Sequence, residues 1–74
     1  MELTVVVHRE SDGFWSEVAE LPGCFASGPT LGELRDAVGE AVGLYLWDVP
    51  VALDTETLGV GETPVTVRTP GPGE

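Results

Sequence analysis

The sequence contains no lysine, isoleucine, asparagine or glutamine, and it has one cysteine and one histidine in 74 residues. Arg9, Arg35 and Arg68 are the only side chains that are always cationic, set against 13 carboxylates, for a formal net charge of −10. Nucleic-acid binding needs clustered Lys or Arg against the phosphates, so this composition excludes it for the chain alone. Anionic membrane surfaces are excluded on the same ground. A lone Cys24 cannot close an internal disulfide. One Cys and one His fall short of the three or four ligands of a zinc site, and the carboxylates lack EF-hand spacing. No glycine-rich phosphate loop follows a strand. There is no basic-then-apolar leader and no apolar run of membrane-spanning length. These absences point to a cytoplasmic protein without cofactors. The missing Ile, Lys and Asn all have AT-rich codons, so a GC-rich genome accounts for them most simply.

What is present suits one small domain. Leu, Val and Phe make up more than a quarter of the chain, above the level at which chains stay disordered. A domain of this size buries only about 60% of its unfolded surface, so self-association or a partner is expected.

Residues 2–9 are rich in β-branched side chains and predict a strand. Ser11-Asp12-Gly13 is a turn signal, and residues 14–20 predict a returning hairpin strand. Leu21-Pro22-Gly23-Cys24 fits a type II turn, with Pro presetting φ at the first central position and Gly accepting positive φ at the second. A short third strand follows over 24–28. Thr30 with Glu33 three residues on is a capping-box signature. The 3.6-residue period then gathers Leu31, Leu34, Val38, Ala41, Val42, Tyr45 and Val49 on one helix face, with the helix ending near Pro50. Residues 51–62 show no clear period. Residues 63–68 alternate and predict an edge strand, since Pro64 cannot donate to a ladder. Residues 1–68 thus form one domain, and 69–74 form a disordered Pro/Gly tail. The expected architecture is α+β and two-layered, β-β-β-α-β, with an antiparallel hairpin sheet, one covering helix and a final edge strand. A crossover by the helix to a parallel neighbour would be right-handed.

Strand alternation sorts the side chains. A two-residue loop pairs Val5 with Val18 and Val7 with Ser16. Leu3, Val5, Val7, Phe14, Ser16 and Val18 then face the helix. Thr4, Val6, His8, Trp15, Glu17 and Ala19 face the other way, where no second helix exists to cover them. A Trp on an uncovered sheet face implies an oligomer or partner surface. Trp15, Glu17, Val6 and Glu10 are the candidate partner-binding residues. Gly32, Gly39 and Gly43 lie along one side of the helix, each at a cost in helix propensity of about 0.5–1 kcal/mol relative to Ala. Either 51–62 folds back over the neighbouring Leu44 and Trp47, or a second subunit approaches closely. His8 with Cys24 lacks any orienting motif for nucleophilic catalysis. The carboxylates Glu17 and Glu20 are split across the sheet and cannot converge on two metals, so no enzyme is expected.

Several pieces together resemble the HicB-like antitoxin domain of bacterial toxin–antitoxin systems. They are Asp12-Gly13-Phe14-Trp15 entering the second strand, Glu20-Leu21-Pro22-Gly23-Cys24 leaving it, and Gly28-x-Thr30-Leu31-x-Glu33 opening the helix. Ala41-Val42-Gly43-Leu44-Tyr45-Leu46 and Gly61-Glu62-Thr63-Pro64 fit as well, so the resemblance covers about residues 3–68. It implies a partial RNase-H-like fold with strand order 3-2-1-4. It further implies a homodimer or homotetramer that binds a small basic, HicA-like, mRNA-cleaving toxin and masks its RNA surface and active site. Family members often carry a DNA-binding module after this domain; no basic segment of that kind follows here, so operon repression is not expected of this chain alone. The alternative reading is an orphan homo-oligomeric domain of the same fold with another protein partner.

Overall fold

The structure is a computed structural model that describes residues 1–55 and 58–68. The expected tail, 69–74, lies outside the described residues. Four strands and one helix follow in the order β1 (Glu2–Glu10), β2 (Gly13–Val18), β3 (Phe25–Gly28), α1 (Leu31–Leu46) and β4 (Gly61–Thr66). They form one sheet of order β3-β2-β1-β4, with every neighbouring pair antiparallel. The α+β, β-β-β-α-β architecture is therefore as expected.

The hairpin register is the one alternation demands. Val5 faces Val18 and Val7 faces Ser16, and Glu10–Gly13 closes a two-residue loop. Leu3, Val5, Val7, Ser16 and Val18 are buried beneath the helix layer, joined by Leu34, Val38 and Val42 from α1. β2 stops at Val18 and not at residue 20, because the Val18 carbonyl accepts the Leu21 N–H and bends the chain into the next turn. Cys24 N–H then donates to the Leu21 carbonyl at 3.0 Å, and Gly23 takes φ of 85°. These are the hydrogen bond and the positive φ of a type II turn.

Thr30 caps the helix, its hydroxyl accepting the Glu33 N–H at 3.1 Å. The reciprocal bond of a full capping box, from Thr30 N–H to the Glu33 carboxylate, does not form. The helix ends at Leu46, before Pro50, and Asp48 follows in the left-handed region at φ of 60°. The buried arc of α1 also differs from the periodicity. Tyr45 is exposed, its hydroxyl donating to the Pro22 carbonyl at 2.9 Å, and Val49 lies beyond the helix and is exposed. Gly39 and Gly43 are buried in their place.

The reason is the path of the chain after the helix. Residues 49–51 run back against α1, with Val49 N–H reaching the Gly43 carbonyl at 3.4 Å and Val51 N–H the Gly39 carbonyl at 3.2 Å. A Cβ at Gly39 would strike the Val51 carbonyl oxygen, and one at Gly43 would strike the Val49 carbonyl oxygen and crowd the Val51 nitrogen. The two glycines let backbone pack on backbone. The fold-back thus occurs within the chain, but against the glycines and not over Leu44, which stays exposed; Trp47 is half-buried against the core. The same return reverses the chain before it enters β4. β4 therefore lies antiparallel to β1, and the helix makes no parallel crossover. The aperiodic segment still feeds the core, through fully buried Leu58 and through Val51 and Leu53 packed against it. Leu53 bridges Val67 beyond the outer end of β4.

One carboxylate pins the end of β1. Glu20 accepts the Thr4 N–H at 2.7 Å and the Thr4 hydroxyl at 2.9 Å. The bond from the Thr4 backbone N–H holds the Glu20 carboxyl below its ordinary range; partial desolvation opposes the shift and the Thr4 hydroxyl adds to it.

Four outcomes are expected. Gly43→Ala should destabilise the fold by about 1–3 kcal/mol through overpacking, although alanine is the better helix former. Gly32→Ala, whose Cβ meets only the Thr30 hydroxyl at 4.0 Å, should stabilise it by about 0.5–1 kcal/mol. Denaturant midpoints that move the same way in both variants would refute the packing of 49–51. Thr30→Ala should cost about 0.5–2 kcal/mol, and an unchanged thermal midpoint would show that the cap is idle. Because the folded-state pKa of Glu20 is depressed, its contribution is complete above the unfolded-state value and fades as pH falls through the folded-state value. Glu20→Gln should therefore flatten the acid limb of the stability–pH curve below about pH 4.5. Superimposable acid limbs would exclude that role.

Candidate partner-binding face

The sheet side away from the helix carries the alternate residues of each strand. Pairing brings His8 opposite Trp15 and Val6 opposite Glu17 across β1 and β2. Val6 also faces Glu62 on β4, and Glu17 faces Phe25 on β3. The imidazole of His8 stacks on the Trp15 indole, with ring centroids 4.2 Å apart and planes inclined by 20°. Phe25 tilts against the same indole at 6.4 Å. The result is an aromatic row in a setting of carboxylates. His8 Nε2 lies 3.8 Å from the Glu17 carboxylate, beyond hydrogen-bonding distance, and makes no hydrogen bond.

Three of the four predicted partner-binding residues converge. Val6, Trp15 and Glu17 form the centre of the face and are half-buried, with no layer of described residues above them. Glu10 stands exposed at the hairpin end, paired with Gly13, and serves as rim. Sequence reasoning missed Phe25 and Glu62. Phe25 is exposed, and its face follows once β3 is paired with β2 through Glu17. Glu62 was missed because β4 begins at Gly61, two residues before the alternation becomes visible.

The motif residues are structural. Pro22 and Gly23 form the turn, Leu21 packs on the core, and Cys24 is buried within it. Burial pushes the Cys24 thiol up, which disfavours the thiolate a nucleophile needs. The sheet also stands between Cys24 in the core and His8 on the opposite face. Among the described residues no three His, Cys, Asp or Glu side chains are placed to hold a metal ion. No helix among them is long and apolar enough to cross a membrane. The face thus sets Val6 and the aromatic row of His8, Trp15 and Phe25 beside the carboxylates Glu17 and Glu62.

The chain is 36% identical over 61 residues to a UPF0150 protein of Archaeoglobus fulgidus, a match covering 81% of this chain and 88% of the relative. It is 30% identical over 60 residues to a UPF0150 protein of Synechocystis, covering 80% of this chain and 87% of the relative. No family model and no solved structure matches it. Identity at this level across most of both lengths means that the chain belongs to the UPF0150 family.

Proposed function

We propose that this protein is a HicB-like antitoxin domain, a cytoplasmic protein-binding module and not an enzyme. It neutralises a small basic mRNA-cleaving toxin by covering the toxin's RNA-binding and active surface. The observation that carries this reading is the uncovered sheet face, where Trp15 lies stacked with His8 and flanked by Phe25 in a setting of Glu17 and Glu62. A surface built to hold RNA phosphates presents Lys and Arg, and a net charge of −10 draws it in over distance. Retention needs a desolvated anchor, and indole is among the strongest in protein interfaces. A guanidinium beside the Glu17 carboxylate would gain ionic contact, and one seated over the indole face that His8 leaves free would add cation–π attraction.

The test uses a small basic HicA-like RNase, sought first among the products of genes neighbouring this chain's own. Titration should abolish its mRNA cleavage at stoichiometric ratio, with association slowing as salt rises. Trp15→Ala should weaken binding by about 30-fold or more, the effect of a central aromatic anchor. Glu17→Gln should lower the association rate. Affinity untouched by Trp15→Ala, or RNA binding by the chain itself, would overturn the proposal.

A further inference from the structure

The sheet has two edges, and they are treated differently. β4 is a protected edge. It carries Glu62 and Pro64; at its last residue Asp54 N–H bonds the Thr66 carbonyl at 2.8 Å, and just beyond it Leu53 bridges Val67. β3, Phe25-Ala26-Ser27-Gly28, has no charge and no proline, and among the described residues no strand lies on its outer side. Unprotected edges of this kind are templates for pairing with another chain.

The ladder fixes which groups point outward. Ala19 N–H bonds the Thr4 carbonyl towards β1, and Val18 N–H bonds the Cys24 carbonyl towards β3. Antiparallel alternation then directs Ala26 and Gly28 towards β2 and leaves the N–H and C=O of Phe25 and Ser27 facing out. Below this edge lies a shallow groove of about 310 Å³ between Phe25 and Ala26 on one side and Ala37, Ala41 and Leu44 of α1 on the other. Phe25 is 59% exposed and Leu44 47% exposed.

We propose that β3 is the self-association edge, pairing antiparallel with β3 of a second copy about a twofold axis at Ala26. Phe25 of each copy then exchanges both backbone hydrogen bonds with Ser27 of the other, which satisfies all four outward groups. Such an isologous contact closes as a dimer with a continuous eight-stranded sheet. Charge selects the occupant. Two copies that each carry −10 repel wherever carboxylates meet, as they would if the faces bearing Glu17 and Glu62 were stacked. The β3 edge is uncharged, and Glu40 is the one carboxylate lining its groove. The edge therefore suits a like-charged second copy, and the acidic face stays free for a cationic partner.

Analytical ultracentrifugation of the full chain tests this against salt. The wild type should be a dimer at micromolar concentration, and the dimer should tighten as salt screens the repulsion. Binding of a basic partner to the acidic face would weaken under the same change, so the two surfaces are read separately. Ser27→Pro removes an outward N–H and should weaken association at least about tenfold, with the helical circular dichroism retained. Phe25→Glu brings like charge to the seam and should do the same without touching the backbone. Trp15→Ala should leave the dimer intact. A wild-type monomer, or a dimer that resists both edge variants and dissociates with Trp15→Ala, would overturn the assignment.

Discussion

The backbone-to-backbone seam between α1 and residues 49–51 sets the course of everything after it. Gly39 and Gly43 leave room for the Val49 and Val51 carbonyls, and the helix carbonyls of those glycines accept the returning N–H groups. With any side chain at either position the returning chain would be displaced from the helix. Its route decides that Leu58 enters the core, that Leu53 reaches Val67, and that β4 is laid antiparallel on β1. The conformational cost of two interior glycines is offset by a core that one short helix could not close alone.

One helix and one returning segment still cover only one side of a four-stranded sheet. In an acidic chain of this size the other side cannot be a purely apolar surface, and it is not. Its centre is aromatic and its surround is carboxylate, with Glu17 and Glu62 flanking Val6. The β3 edge is apolar and uncharged. Electrostatics thus separates the two kinds of contact open to the molecule. On the two readings proposed above, like-charged copies avoid the face and meet at the edge, while a cationic partner takes the face.

Particular residues mark where sequence reading succeeds. The alternation of Leu3, Val5 and Val7 against Ser16 and Val18 was legible because a strand's period of two and a two-residue loop leave a single parity. That parity places Val6, Trp15 and Glu17 together on the face turned away from the helix. The Pro22-Gly23 turn and the Thr30 cap were legible because each rests on the stereochemistry of adjacent residues. Phe25 was less so, since a four-residue strand has too few alternations to declare its faces. Tyr45 was misplaced because helical periodicity treats Gly39 and Gly43 as blanks, whereas the returning backbone packs on them and buries them.

By itself, then, the sequence determined the element order, the hairpin register, the buried set on β1 and β2, and a net charge of −10. Each of these follows from local stereochemistry or from a sum over residues, and neither depends on distant contacts. Tertiary structure alone decided the direction of β4, the burial of Leu58, the joining of Phe25 and Glu62 to the Trp15 face, and the exposure of the β3 edge. Those depend on where an aperiodic segment settles, and that is governed by the space left between helix and chain, which no pattern of hydrophobicity along the sequence encodes.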